Sequence, residues 1–243
     1  MKTKTLRPWT IIARRELASY FQSPVAYIVT ALFLLFSGIL FFSTFFLVNR
    51  AELRAFFELL PLLYSFFIPA LTMRVFSEET KTGTMETLVT LPVKTTDIVA
   101  GKYAASFLAA IILIAPTVSY VAACMIFASS GIDAGPIVGG YLGAVFLAAA
   151  FTAIGIFSSA VTKNQIVAFF LSMSICIFLT MVQAFSVFIP GAMVNVAAFL
   201  SASAHFRSVA RGIIDSRDVL YFLSITLTFL VMTASVLENK KRG

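Results

Sequence analysis

Charge is what this 243-residue sequence has least of: 12% of its residues are Asp, Glu, Lys or Arg, against 60% hydrophobic, with a mean hydropathy of +0.97. A domain surrounded by water needs more polar surface than that, so a soluble protein is excluded and an integral membrane protein is implied. Cysteine is nearly absent as well. Cys124 and Cys176 fall inside apolar runs, cannot build a secreted disulfide framework and lack metal-ligand spacing, so both read as small packing residues. His205 is the only histidine and has no second His or Cys near it in sequence, which favours a surface or interfacial role over a metal centre. No Walker loop exists: the only Gly-Lys pair, Gly101-Lys102, is followed by Tyr103 and has Thr96 where the first glycine belongs. There is likewise no H-E-x-x-H and no nucleophile elbow, so the chain is expected to be no enzyme and to bind no cofactor itself.

The apolar runs are long. Residues 25–48 contain no charged side chain and would reach about 36 Å as a helix, enough to cross a hydrocarbon core of roughly 30 Å. Further runs at 59–73, 104–127, 136–159, 166–189 and 219–237 predict six spans, the second shortened and interrupted by Pro61 and Pro69. No small-residue cleavage site follows the basic start, so the amino terminus is expected to be retained. With six spans both ends share one side. Thirteen of the 18 Lys and Arg residues fall on that side, in the two tails, the loop after span two and Lys163; the other side holds only Arg50, Arg54, Arg207, Arg211 and Arg217. Basic residues concentrate on the cytoplasmic face, so both termini are expected there, and the net charge of +7 reports topology rather than nucleic-acid binding. Spans one, three, four and five carry no ionisable group at depth, which argues against an ion-coupled carrier and asks for energy from outside the bilayer.

Three polar segments stand out. Residues 6–21 form an amphipathic helix whose Leu6, Trp9, Ile12, Ala13, Leu17 and Tyr20 share an arc while Arg14 and Arg15 point elsewhere. Glu16 falls inside the apolar arc, where an unpaired carboxylate is costly, so a cationic or hydrogen-bonding partner within the protein is expected. The loop beginning at Arg74 places Glu78, Glu79 and Glu86 around Thr82-Gly83-Thr84, and then Met85, Leu88, Val89 and Leu91 supply an apolar face that stops at Pro92. Such a piece has little of its own protein to bury against and fits a groove on a partner. Residues 190–218, between spans five and six, are too interrupted for a span and too apolar for a free loop. There Arg207, Arg211 and Asp215 recur every four residues, so they can share a face and pair, or the two arginines can gate the outer side. In span five, Ser172, Cys176, Thr180, Gln183 and Ser186 form a polar stripe that predicts a dimer interface or a path. The small-residue ridge of span four, Gly140, Ala144, Ala148 and Thr152, reads as close helix packing.

Arg74, Phe76-Ser77-Glu78-Glu79, Gly83-Thr84, Glu86-Thr87-Leu88 and Leu91-Pro92-Val93, ending in Gly101-Lys102, resemble the signature of ABC-2 type transporter permeases. Arg14-Arg15-Glu16-Leu17 and Tyr20-Phe21, with Ser23-Pro24, are similar to that family's amino-terminal elbow helix. The chain looks most like the compact permeases of gliding-motility-associated, copper-processing or multidrug-like systems. The resemblance implies one membrane domain over 1–243, all-α, with an elbow helix at 6–21, a cytoplasmic coupling loop at 74–97 and an outer segment at 190–218 folding back towards the bilayer. It implies that Glu16 supports the elbow, and that Glu78, Glu79, Gly83, Thr84, Met85, Glu86, Leu88 and Pro92 meet a separate cytoplasmic ATPase carrying ATP and Mg. It further implies a second permease chain, identical or related, membrane lipids as surroundings, and the bacterial inner membrane as location. The expected function is export driven by the partner ATPase. Two readings stand beside it: a membrane anchor or force transmitter for an ATPase in motility or envelope assembly, without solute transport, and a secondary carrier.

Overall fold

The computed structural model describes residues 7–48, 53–85, 93–127, 134–188, 191–213 and 215–242, and among them every regular element is helical. Helix α1 (Pro8–Gln22) starts on a proline, whose fixed φ suits the first helical position. It stops because Ser23 precedes Pro24 and is held extended, at φ −94° and ψ 125°. The long helices follow: α2 (Pro24–Val48), α3 (Arg54–Thr72), α5 (Thr95–Ile114), α7 (Ala134–Val161), α8 (Gln165–Met181) and α11 (Ser216–Arg242). Between them lie α4 (Ser77–Thr82), α6 (Val118–Phe127), α9 (Gly191–Leu200) and α10 (Ala202–Ala210). Six helical stretches are long and apolar enough to cross a membrane, each matching one of the runs expected from the sequence.

Two details differ from the apolar runs. The second span is a continuous 19-residue helix despite Pro61 and Pro69, because it is buried among neighbours; Phe56, Leu60, Tyr64 and Ile68 are all at most 2% exposed. The third is broken by a 3-10 turn at Ala115–Thr117, where Pro116 cannot donate to the helical ladder and the Thr117 hydroxyl donates to the Ile114 carbonyl at 2.7 Å.

Helix α7 is the axis of the bundle. Its most apolar stretch is 72% buried, against 22% for α2 and for α11, and it packs on α3, α5, α8, α10 and α11. The Gly140, Ala144, Ala148 and Thr152 ridge is inside, as close packing requires. Gly155 shows why small residues are needed: a Cβ there would sit 1.9 Å from Thr72 Oγ1 of α3. The outward faces of α2, α8 and α11 are apolar, with Leu35, Phe36, Phe170, Phe178, Leu223 and Val231 all at least half exposed, as a surface against lipid or another membrane helix demands.

Helix α10 is capped by the Ser201 hydroxyl, which accepts from the Ala204 amide. It lays Ala202, Phe206 and Val209 onto α7 and α3, all at most 1% exposed. The segment between spans five and six therefore folds against the bundle rather than forming a free loop.

Candidate functional site

At the end of the bundle that carries both termini, α1 lies along α5. The contact is so close that a Cβ on Gly101 would be 2.8 Å from Ile12 Cβ and from the Trp9 carbonyl oxygen. The next residue, Lys102, is thereby pointed between three elements. Its ammonium donates to Glu16 Oε1 of α1 at 2.9 Å, to Glu79 Oε1 of α4 at 2.8 Å and to the Val75 carbonyl at 2.9 Å. All three N–H groups of the ammonium are used. Its side chain is 1% exposed, with Nζ 5.0 Å from the centre of the Phe76 ring, while Glu16 and Glu79 are 18% and 17% exposed. A buried cation needs this degree of pairing to offset its lost hydration.

A second tie runs from the same segment to α7. Ser159 Oγ accepts from the backbone amides of Phe76 at 2.9 Å and Ser77 at 3.0 Å, and donates to the Met73 carbonyl at 2.9 Å. One hydroxyl thus holds the whole turn between α3 and α4. Tyr20 adds a third tie: its hydroxyl donates to the Leu71 carbonyl at 3.1 Å and meets Ser106 Oγ at 3.0 Å. Burial pushes the Tyr20 hydroxyl up to about 12, with Ser106 opposing, so it stays protonated and able to donate. At the carboxyl end Lys240 donates to the Ala160 carbonyl at 2.7 Å, bringing the last helix to the same place. Beside these ties opens a cleft of about 220 Å³, lined by Arg15, Glu16, Ser19, Arg74, Glu78, Glu79 and Lys102. Glu79 Oε2 is buried with no hydrogen-bond partner among the described residues.

Six helices of this length and apolarity mark a membrane component, and the family comparison decides which. The sequence model for "ABC-2 family transporter protein" matches residues 25–238, which take in all six long helices except Pro24 and the last turn of α11. The chain belongs to the ABC-2 transporter family. Among curated proteins none matches it. Membership makes this ABC-2 chain a multi-pass membrane protein and the permease subunit of an ABC transporter, a family that works with an ABC ATPase. Helix α1 precedes the matched region, so its assignment rests on the residues that tie it to α5 and α4.

The junction sorts the residues singled out in the sequence. The partner required by Glu16 is Lys102, while Arg14 and Arg15 are exposed. Helix α1 packs along α5, with Tyr20 buried and Trp9, Ile12, Ala13 and Leu17 partly buried. Glu78 is exposed, whereas Glu79 is turned inward onto Lys102. Met85, expected to project into a partner's groove, is 5% exposed and belongs to this chain's own core. Gly83 ends α4 in the left-handed region at φ 74°, with Thr84 Oγ1 3.0 Å from Thr82 Oγ1. Glu86, Leu88 and Pro92 lie outside the described residues.

The span-five stripe needs correction. Ser172 and Cys176 are fully buried and Thr180, 4% exposed, meets Ser65 Oγ of α3 at 2.9 Å. The stripe is therefore closed against the same chain, which removes these three from a seam between chains. Gln183 lies beyond the end of α8, in a 3-10 stretch over Val182–Phe188, and accepts from the Arg207 guanidinium; the Ser186 side chain is outside the described residues. The Arg207, Arg211 and Asp215 face does not form either. Helix α10 ends at Ala210, Gly212 adopts φ 84°, and Asp215 Oδ1 accepts instead from the Arg217 amide at 2.9 Å. His205 is partly buried, with a partner on each nitrogen: Nδ1 is 2.6 Å from Asp218 Oδ1, Nε2 is 3.0 Å from the Phe199 carbonyl, and the ring stacks on Tyr221. Among the described residues no cluster of metal-ligating side chains occurs.

The ties made by Lys102 and Ser159 were not foreseen from the sequence. Lys102 had two available signals, its place at the end of the signature and a charge immediately after a glycine at the mouth of span three; Ser159 had none, being one of many small residues in α7.

Proposed function

We propose that this permease exports a substrate across the bacterial inner membrane, driven by a separate cytoplasmic ATPase that binds ATP and Mg and pushes on α4. The observation that carries the reading is the junction itself: α4 is joined to α1 and α5 through Lys102, and its preceding turn to α7 through Ser159. A displacement of α4 cannot be absorbed locally, because both ties lead directly into the central helices. Exposed Glu78 and the cleft bearing Arg15 and Arg74 are the charged surface offered to the ATPase. The basic residues gathered at this end support a cytoplasmic location, and the bare outward faces of α2, α8 and α11 suit lipid and a second permease chain.

The test is co-reconstitution of the chain with its ATPase in vesicles, using Glu78→Lys beside the native protein. ATP-dependent movement of a solute that the charge reversal suppresses, with unchanged membrane insertion, is the expected result. ATP turnover that alters an envelope protein without any flux would instead establish the force-transmitter reading. Equal activity of both proteins would remove α4 from the coupling.

A further inference from the structure

Membrane proteins place few basic residues away from the cytoplasm, and this chain has five on the face opposite its termini. Three of those five, Arg54, Arg207 and Arg211, line one cavity of about 150 Å³, although 153 positions separate Arg54 from Arg207. They come from different elements: Arg54 opens α3, Arg207 is in the last turn of α10 and Arg211 caps it. Phe57 and Phe206, 3% and 0% exposed, form an apolar floor. A face of local ion pairs, the ordinary explanation, does not form among the described residues. Arg54 makes one loose contact with Glu58 at 3.4 Å, both side chains being more than half exposed, and among the described residues neither Arg207 nor Arg211 has a carboxylate partner. Arg207 is instead held in place by neutral acceptors, Gln183 Oε1 and, at 3.2 Å, the Ser203 carbonyl. Among the described residues, three arginines face one glutamate, an excess of two positive charges around a concave site.

We propose that this cavity binds a phosphate monoester or diphosphate group, carried either on a lipid or on a free solute. Guanidinium groups present planar forks that match phosphate oxygens two at a time, and a phosphomonoester brings close to two negative charges at neutral pH, matching the excess. The volume admits one such group above the aromatic floor. On the far side from the ATPase junction, a site of this kind would hold the anionic end of a departing substrate. That role rests on the export reading, whereas the binding itself does not.

The experiment uses the delipidated full chain in detergent, without the ATPase, so that a negative result refutes the cavity and leaves the coupling reading untouched. Native mass spectrometry measures retention of short-chain phosphatidic acid, with phosphatidylcholine for comparison and inorganic phosphate as competitor. Phosphatidic acid is expected to be retained over phosphatidylcholine, and about tenfold more weakly after Arg211→Gln or Arg207→Gln, the usual loss for a charge-assisted hydrogen bond. Arg217→Gln, on the same face but outside the cavity, is expected to bind like the native chain. Displacement by inorganic phosphate supports a free solute, and resistance to it supports a lipid headgroup; both sustain the phosphate assignment. Should Arg207→Gln fail to fold, Arg211→Gln decides, since its exposed side chain makes no hydrogen bond among the described residues. Equal retention of the two lipids, or equal weakening by Arg217→Gln and Arg211→Gln, would overturn the proposal.

Discussion

Replacing Lys102 by methionine keeps the length of the side chain and removes a buried charge on which two carboxylates and a carbonyl converge. Removing one partner of a buried pair costs about 3–5 kcal/mol, and Glu16 and Glu79, only 18% and 17% exposed, would lose the cation they share. Here the loss is aggravated by Glu79 Oε2, already buried without a partner among the described residues. At the usual conversion for a chain of this size, the midpoint of thermal unfolding should fall by about 10 °C. The triple variant Lys102→Met, Glu16→Gln, Glu79→Gln removes the stranded charges together, and it should regain more than half of the loss. Lys102→Arg should not rescue, since a planar fork cannot direct three bonds to acceptors arranged around a single nitrogen. The assay is thermal unfolding in detergent followed by size-exclusion chromatography, with exposed Lys163→Met as a control expected to stay within about 0.5 kcal/mol of the native chain. A Lys102→Met protein as stable as that control, or a triple variant no better than the single one, would refute the claim that Lys102 fastens α1 to α4.

Three other outcomes follow from the same geometry. Glu78→Lys should weaken co-purification of the ATPase at normal permease yield, whereas Glu79→Lys should lower the yield itself, because it places a second ammonium against Lys102; similar behaviour of the two would mean that α4 does not present one acid and bury the other. Gly155→Val should cost about 1–3 kcal/mol of stability in detergent through the overlap with Thr72, and an unchanged melting curve would show that α3 and α7 are not in the register described. Single cysteines at Lys81 and Arg217, in a chain whose Cys124 and Cys176 are replaced by alanine, should react with impermeant reagent from opposite sides of the membrane; labelling from one side would refute six spans.

Hydropathy alone was enough for the class of protein, the number of spans and nearly all of their positions, since length and apolarity along the chain are the quantities a bilayer selects. It was also enough to mark Glu16 as needing a partner, because a carboxylate in an apolar arc is a conflict visible in one dimension. The signature around Glu78 to Lys102 carried the family. Direction was another matter. Ser172, Cys176 and Thr180 share a face of α8 in any structure, but which neighbour that face meets depends on how α3 and α8 are docked, and they meet within one chain. Glu78 and Glu79 are adjacent and chemically alike, yet the turn held by Ser159 sends one to solvent and the other to Lys102. The same is true at the opposite end, where Arg207 and Arg211 leave the local ladder implied by their spacing because α10 stops at Ala210, and they join Arg54 from another helix. Periodicity fixes which side chains share a surface of one helix. Only the packing of that helix against others, through contacts tens of residues apart, decides whether the surface faces lipid, its own chain or a ligand.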